Sequence, residues 1–318
     1  MILKLIPKET HVDFLSKRKI CMALSAGFLI ATVTLLSTVG LNWGIDFSGG
    51  SLVQIQTEKN VPIAQMRQAI KDAGIDGATL QEFDGSEGEL LVRVPEKDKE
   101  NANASVTAQA VAAALSPLVG AVDIRRVEFV GPQIGDELRT QGLLALIFSM
   151  VAILIYISIR FEMRYALGAI VALLHDIILT VGIFSLLQKE VTMTVLAALL
   201  TIVGYSLNDT IVVFDRVREN INKHGKMSFK DVLNLSVNEM LNRTLMTSLT
   251  TLAVLLALFL FGGGVIHDFA FTLMFGVIVG TYSSVFVAAP TVLSMEAYYK
   301  RMKKDEEKMQ KNFMSKPD

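Results

Sequence analysis

The sequence predicts an α-helical membrane protein of six spanning helices, with a small α+β domain inserted between the first and the second. Three observations carry this. Of 318 residues, 52% are hydrophobic and only 19% charged, a balance well beyond that of a soluble globular domain. The apolar residues gather in six runs of about 20, the length that crosses a hydrocarbon core at 1.5 Å per residue. Lys and Arg collect at alternate ends of these runs, as they do in multi-pass membrane chains.

The elements follow in order. Residues 1–19 hold Lys4, Lys8, Lys17, Arg18 and Lys19, a basic segment that the positive-inside rule keeps cytoplasmic. Residues 20–41 form the first span; its apolar part is too long for a signal peptide and no A-x-A-like site follows it. Residues 42–142 predict a domain on the outer side. It has alternation in SLVQIQT from Ser51, helical spacing in PIAQMRQAIKDAG from Pro62, strands at ATLQEF and ELLVRV, a helix in ASVTAQAVAAALSPL from Ala104 and an extended VDIRRVEFV from Val122. That order, βαββαβ, is ferredoxin-like. The domain has no His and no Cys, and its acids are spread as on a solvated face. No catalytic constellation is visible, and the expected role is contact with a protein.

Residues 143–295 contain the other five spans, at Leu143–Ile159, Tyr165–Leu187, Val191–Phe214, Leu245–Val265 and Phe269–Met295. Arg160 and Arg164 flank the turn between the first two of these. A connector over 215–244 carries Arg216, Arg218, Lys223, Lys226, Lys230 and Arg243, and the charged tail over 296–318 opens with Lys300, Arg301, Lys303 and Lys304. The opposite connections hold only Lys189, so both termini are expected in the cytoplasm. Within the connector, Ser228 with Asp231 three residues on predicts a capping box opening a helix at the membrane surface.

Net charge is -1, which does not suggest a nucleic-acid partner. The single Cys21 excludes an internal disulfide and sits as a small side chain in an apolar run. No G-x-x-x-x-G-K-[ST] is present, and the histidines at 11, 175, 224 and 267 have no ligand at i+4, so neither a nucleotide nor a metal or other cofactor is expected.

Ionisable residues inside spans are costly and therefore functional candidates. Asp209 lies near the cytoplasmic end of the fourth span, with Tyr205, Ser206 and Asn208 in the preceding turn and Thr201 two turns back. Arg243 opens the fifth span, and Thr247, Thr250 and Thr251 follow at i+4, i+7 and i+8. Consecutive spans pack side by side, so an Asp209–Arg243 ion pair is expected; the bland alternatives are a surface-seeking acid and an ordinary basic anchor. Asp176 lies mid-way along the third span and serves either as a structural acid, buried in its neutral form or bonded to a neighbouring helix, or as a proton-relay group. Successive helix residues point about 100° apart, so no tight pairing with His175 is expected. Gly276 and Gly280 form a G-x-x-x-G for close helix packing, and Pro290 predicts a kink.

Four segments, GIDFSGG (Gly44 to Gly50), GYSLNDTIVVFDRVREN (Gly204 to Asn220), NRTLMTSLTT (Asn242 to Thr251) and GTYSSVFVAAP (Gly280 to Pro290), together resemble the signature segments of the SecF family, which is related to the RND transporters. The resemblance covers nearly the whole chain. It implies an RND-type half transporter whose other six spans come from SecD, as a SecD–SecF heterodimer in the bacterial inner membrane. It further implies a non-enzymatic role in which the pair assists export of unfolded preproteins through the SecYEG translocon, drawing on a proton or sodium gradient while the periplasmic domain engages the emerging chain. The family's intramembrane acid and arginine map onto Asp209 and Arg243, with Asp176 a further candidate for proton coupling, and Gly44, Gly49 and Gly50 form a hinge between the first span and the domain. Two rivals are weaker. A small-molecule exporter half would need a larger outer domain, and an intramembrane aspartyl protease built on Asp176 and Asp209 would need the two acids at one depth.

Overall fold

The computed structural model describes residues 10–59, 61–82, 88–95 and 104–314; Lys4, Lys8 and Phe83, at the end of the third-strand segment, lie outside the described residues. A single 3-10 turn at Leu15–Lys17 leads into α1 (Arg18–Thr38). Next come β1 (Asn42–Trp43), a one-turn helix α2 (Ile45–Ser48) and β2 (Gly50–Thr57). They are followed by α3 (Ile63–Asp72), β3 (Thr79–Glu82), β4 (Glu89–Val94), α4 (Ala104–Val119) and β5 (Val122–Val130). The remainder is α5 (Pro132–Arg160), α6 (Met163–Leu187), β6 (Glu190–Val191), α7 (Met193–Lys223), α8 (Phe229–Phe261) and α9 (Gly263–Ser283). A π-helical turn at Ser284–Ala288 then joins α9 to α10 (Ala289–Met314). Six of these helical segments are long and apolar enough to cross a membrane, with α9, the π turn and α10 counting as one.

Strands β2 to β5 make an antiparallel sheet in the order β3-β4-β2-β5. Alternation places Val53, Ile55, Leu90 and Val92 under α3 and α4, where they close a core with Met66, Ile70, Val111 and Leu115. The other face carries Leu52, Gln54, Leu91, Arg93, Arg126 and Glu128, and it borders a cleft whose far wall is the end of the helix bundle. A parallel pairing of β1 with β6, Asn42 to Glu190 and Trp43 to Val191, staples the chain after α1 to the loop between α6 and α7. Two glycines allow the junction. Gly49 and Gly50 have φ of +75° and +141°, and a Cβ would stand 2.8 Å from the Pro132 backbone at the first and 2.6 Å from the Val94 carbonyl at the second.

In the bundle, α6, α7 and α9 form the inner layer, whereas α1, α5 and α8 leave Phe28, Phe148, Leu249 and Phe261 exposed. The helices overrun the apolar runs wherever polar sequence keeps its propensity and finds a cap. Pro132 occupies the first turn of α5. Ser228 caps α8, accepting from the Asp231 N–H at 3.2 Å and donating to its carboxylate at 2.6 Å. The helix that this box opens is not a separate surface helix, however. It continues unbroken to Phe261, because nothing between Asp231 and Arg243 interrupts it and because Glu239 is tied to Arg216 and Asn220 of α7, each at 2.6 Å. The kink expected at Pro290 is taken up one turn earlier, in the π turn. Proline lacks an N–H and its ring would collide with the carbonyl four residues back, so a wider turn relieves the conflict.

Candidate functional site

The polar centre of the bundle is assembled by three helices. Asp176 of α6 is fully buried; one carboxylate oxygen accepts from Ser206 Oγ of α7 at 2.5 Å and from Ser283 Oγ of α9 at 2.7 Å. The other carboxylate oxygen lies 2.9 Å from His175 Nδ1. This corrects the expectation that these neighbouring residues would not pair tightly: the two side chains span the roughly 100° between them and meet at hydrogen-bond distance. Tyr282 of α9 stacks on the His175 ring at 6.2 Å between centroids, and its hydroxyl bonds the Cys21 carbonyl and Ser25 Oγ of α1, each at 3.1 Å. The glycines of the G-x-x-x-G let α9 approach α7, Gly276 lying against Ile202 and Gly280 against Ser206.

Asp209 follows Ser206 by three residues on α7, so the two share a helix face. It is 6% exposed, and among the described residues its carboxylate has no hydrogen-bond or ion-pair partner. The expected ion pair with Arg243 is therefore not closed. Arg243 lies exposed on α8 and lines a crevice of 390 Å³ together with Arg160, Asp215, Arg216 and Glu219, at the end of the bundle away from the β domain. The guanidinium can remain hydrated there, which a buried pair would forbid.

The polar stripes also divide. On α7, Ser206, Asp209 and Thr210 point inward while Thr201 and Asn208 are exposed, and Tyr205 between them donates to Thr251 of α8 at 3.2 Å. On α8, Thr244 and Ser248 are buried, Ser248 bonding Thr281 at 2.7 Å, whereas Arg243, Thr247 and Thr250 face outward. Asn208 and Thr247, expected beside the Asp209–Arg243 pair, thus lie on the outer surface of the bundle.

At the other end, Arg93 of β4 reaches from the sheet to an ion pair with Glu190. Lys189 pairs with Asp268 at 2.7 Å, and the Asp46 carboxylate accepts the Met193 N–H at the start of α7 at 2.8 Å. Burial pushes the Arg93 guanidinium below its ordinary pKa, and the attraction of Asp268 and Asp46 acts the other way. Arg93 and Ser283 escaped sequence reasoning as partners, and Ser283 had a signal in its position one turn beyond Gly280; His175 was weighed beside Asp176 and set aside. Gly44, Gly49 and Gly50 are buried in this junction, Gly44 close to the Val191 carbonyl.

The profile of the family described as "Protein export membrane protein SecD/SecF, C-terminal" matches residues 110–298, and that of the "SecD/SecF GG Motif" matches residues 34–61. The chain is 50% identical to the protein translocase subunit SecF of Magnetococcus marinus, over 91% of this chain and 93% of that one. It is 44% identical to the SecF of Calditerrivibrio nitroreducens, over 94% and 99%. Among solved structures it is similar to SecDF, a translocon-associated membrane protein from Thermus thermophilus, with a TM-score of 0.81 and 32% identity over 92% of this chain. A SecDF structure in a super-membrane-facing form matches at 0.71. The chain spans 40% of the length of each solved chain.

Proposed function

The chain belongs to the SecF family of Sec translocase accessory subunits, and on that premise we propose that it couples the proton motive force to preprotein export as one half of a SecD–SecF heterodimer. The observation that carries the coupling is Asp209: a carboxylate 6% exposed within a span, with no protein partner among the described residues, beside a helix that holds Arg243 in a charged crevice. Such a group has two states that differ by one charge, and its attraction to Arg243 exists in only one of them. Taking a proton from the outer side removes that attraction and lets α7, α8 and α9 repack around Gly276 and Gly280. Asp176 is the second coupling site, tied to α7 and α9 through its two serines. Each proton crossing delivers roughly 2.3 kcal/mol per 100 mV, so a few protons suffice to bias a two-state movement.

Several further readings rest on the same premise. The order β2-α3-β3-β4-α4-β5 and the sheet order support a ferredoxin-like domain, placed in the periplasm between the first two spans of an RND-type half. The basic residues at Arg18, Arg160, Arg218, Lys223 and Lys300 lie at the end of the bundle opposite this domain, which supports cytoplasmic termini in an inner-membrane protein. Gly44, Gly49 and Gly50 act as a pivot in the close-packed form found here, one that turns at a junction and not in a slack loop. The exposed Asn208, Arg243, Thr247 and Thr250 support SecD as the neighbour on that side, since polar side chains facing lipid are costly. SecYEG and the unfolded preprotein are the remaining partners. The experiment is preprotein release into inverted vesicles with and without an imposed proton gradient. Asp209→Asn should lose the gradient-dependent part alone, and full retention of that part refutes the coupling role.

A further inference from the structure

The His175–Asp176 pair offers more than an acid buried among serines. Asp176 holds three groups, the His175 ring nitrogen and the Ser206 and Ser283 hydroxyls, while Thr180 Oγ1 bonds its main-chain carbonyl at 2.7 Å. Where Asp176 is the accepting carboxylate for its two serines, it accepts from His175 as well, and the imidazole proton stands on Nδ1. That leaves His175 Nε2 as a bare lone pair in a side chain only 2% exposed, and it has no hydrogen-bond partner among the described residues. Orientation of an imidazole by a carboxylate, with the far nitrogen left free to exchange a proton, is the arrangement by which histidines act as proton carriers.

We infer that His175 is a proton-carrying group on the coupling path, with Asp176 as its positioning residue, one helical turn on the domain side of Asp209. The inference rests on the coupling role given above to Asp209. A proton on Nε2 makes an imidazolium directly against the Asp176 carboxylate, so the added charge is compensated where it forms and no isolated ion is left in the bundle. From α6 His175 faces Asp176 itself; from α9, Tyr282, whose hydroxyl is engaged by α1 at Cys21 and Ser25; from α7, Ser206, with Asp209 one turn beyond. No lysine or arginine pairs with it among the described residues. The two serines give the proton its leverage. Ser206 lies three residues before Asp209, and Ser283 immediately precedes the π turn, so a change of charge on the pair is felt by α7 and by the one irregular turn of the last span.

The chain has four histidines, few enough for assignment by ¹⁵N-histidine solid-state NMR on the full chain assembled with SecD in proteoliposomes. One imidazole, absent from His175→Gln, should show Nδ1 protonated and Nε2 bare, gaining a proton on Nε2 as the pH is lowered; in Asp176→Asn that imidazole should lose its fixed tautomer. In the vesicle assay, His175→Gln should lose gradient-dependent release by about a hundredfold or more, the scale of a lost proton-transfer group, with gradient-independent release unchanged. An imidazole that never changes protonation overturns the inference without any variant having to fold. So does a His175→Gln chain with full gradient dependence alongside an Asp209→Asn chain that lacks it. If both variants keep the gradient response, the coupling role of Asp209 falls first and this inference with it.

Discussion

Asp176 illustrates how a residue becomes tolerable inside a membrane helix. An unpaired carboxylate there costs several kcal/mol, and Asp176 meets that cost with three protein groups, two of them from helices far away in sequence. Removing one partner of a buried hydrogen bond leaves the other unsatisfied at a cost of about 1 to 3 kcal/mol. Ser206→Ala and Ser283→Ala are each expected to lower the unfolding free energy in detergent by about 2 kcal/mol, and the double variant by less than the sum, because both hydroxyls serve one oxygen. Asp209 stands in contrast. With no donor among the described residues, it contributes little to stability, and Asp209→Asn should leave the thermal midpoint nearly unchanged while it alters coupling. The pair of measurements separates an acid whose hydrogen bonds tie three helices together from one that has no donor among the described residues.

At the scale of elements, the bundle depends on how closely α7 and α9 approach. Gly276 rests against Ile202, and Gly280 against Ser206, so the same contact that packs the helices brings Ser206 and Ser283 to the Asp176 carboxylate. Gly276→Leu must push the helices apart, at a cost of about 1 to 3 kcal/mol. It should also loosen the Asp176 cluster, read as faster amide exchange around Ser206 and Ser283 than in a variant of similar stability made elsewhere, such as at the domain core residue Val111. Close packing next to a π turn gives this region two properties at once: α9 is held tightly before Ser284, and the helix is already irregular after it. Repacking at that point costs less than breaking a regular helix.

For the molecule as a whole, the connection between domain and bundle is polar and compact. The Arg93–Glu190 pair, the β1–β6 staple and the Asp46 cap on α7 all meet within one region. Glu190→Gln leaves the half-buried Arg93 without its nearest counter-charge and is expected to cost about 2 to 3 kcal/mol, toward the low end for breaking a buried pair because both groups retain some exposure. The domain should then separate from the bundle more readily, visible as increased protease access to β4 and β6. On the flank of the bundle, cysteines at Asn208 and Thr247 are expected to cross-link to SecD, whereas one at the exposed Phe148 of α5 is not. A cross-link from Phe148 and none from Asn208 or Thr247 would move the partner to the other side.

Length, apolarity and the placement of Lys and Arg were enough to number the spans, alternation and helical spacing gave the order of strands and helices between the first two, and the cost of charge within a span made Asp176, Asp209 and Arg243 candidates. These properties are additive along the chain, so a sequence displays them. Which way each polar residue faces was left to the tertiary structure. On α8 the inward positions are Thr244 and Ser248, one step around the helix from the Arg243 and Thr247 that the spacing had marked, and on α7 Asn208 turns out while its neighbour Asp209 turns in. A spanning helix that is apolar on most sides carries little periodic signal to distinguish its buried face. Only the approach of other helices, made possible at Gly276 and Gly280, decides that Ser206 and Ser283 will meet Asp176, and that His175 will be held with one nitrogen bonded and the other free.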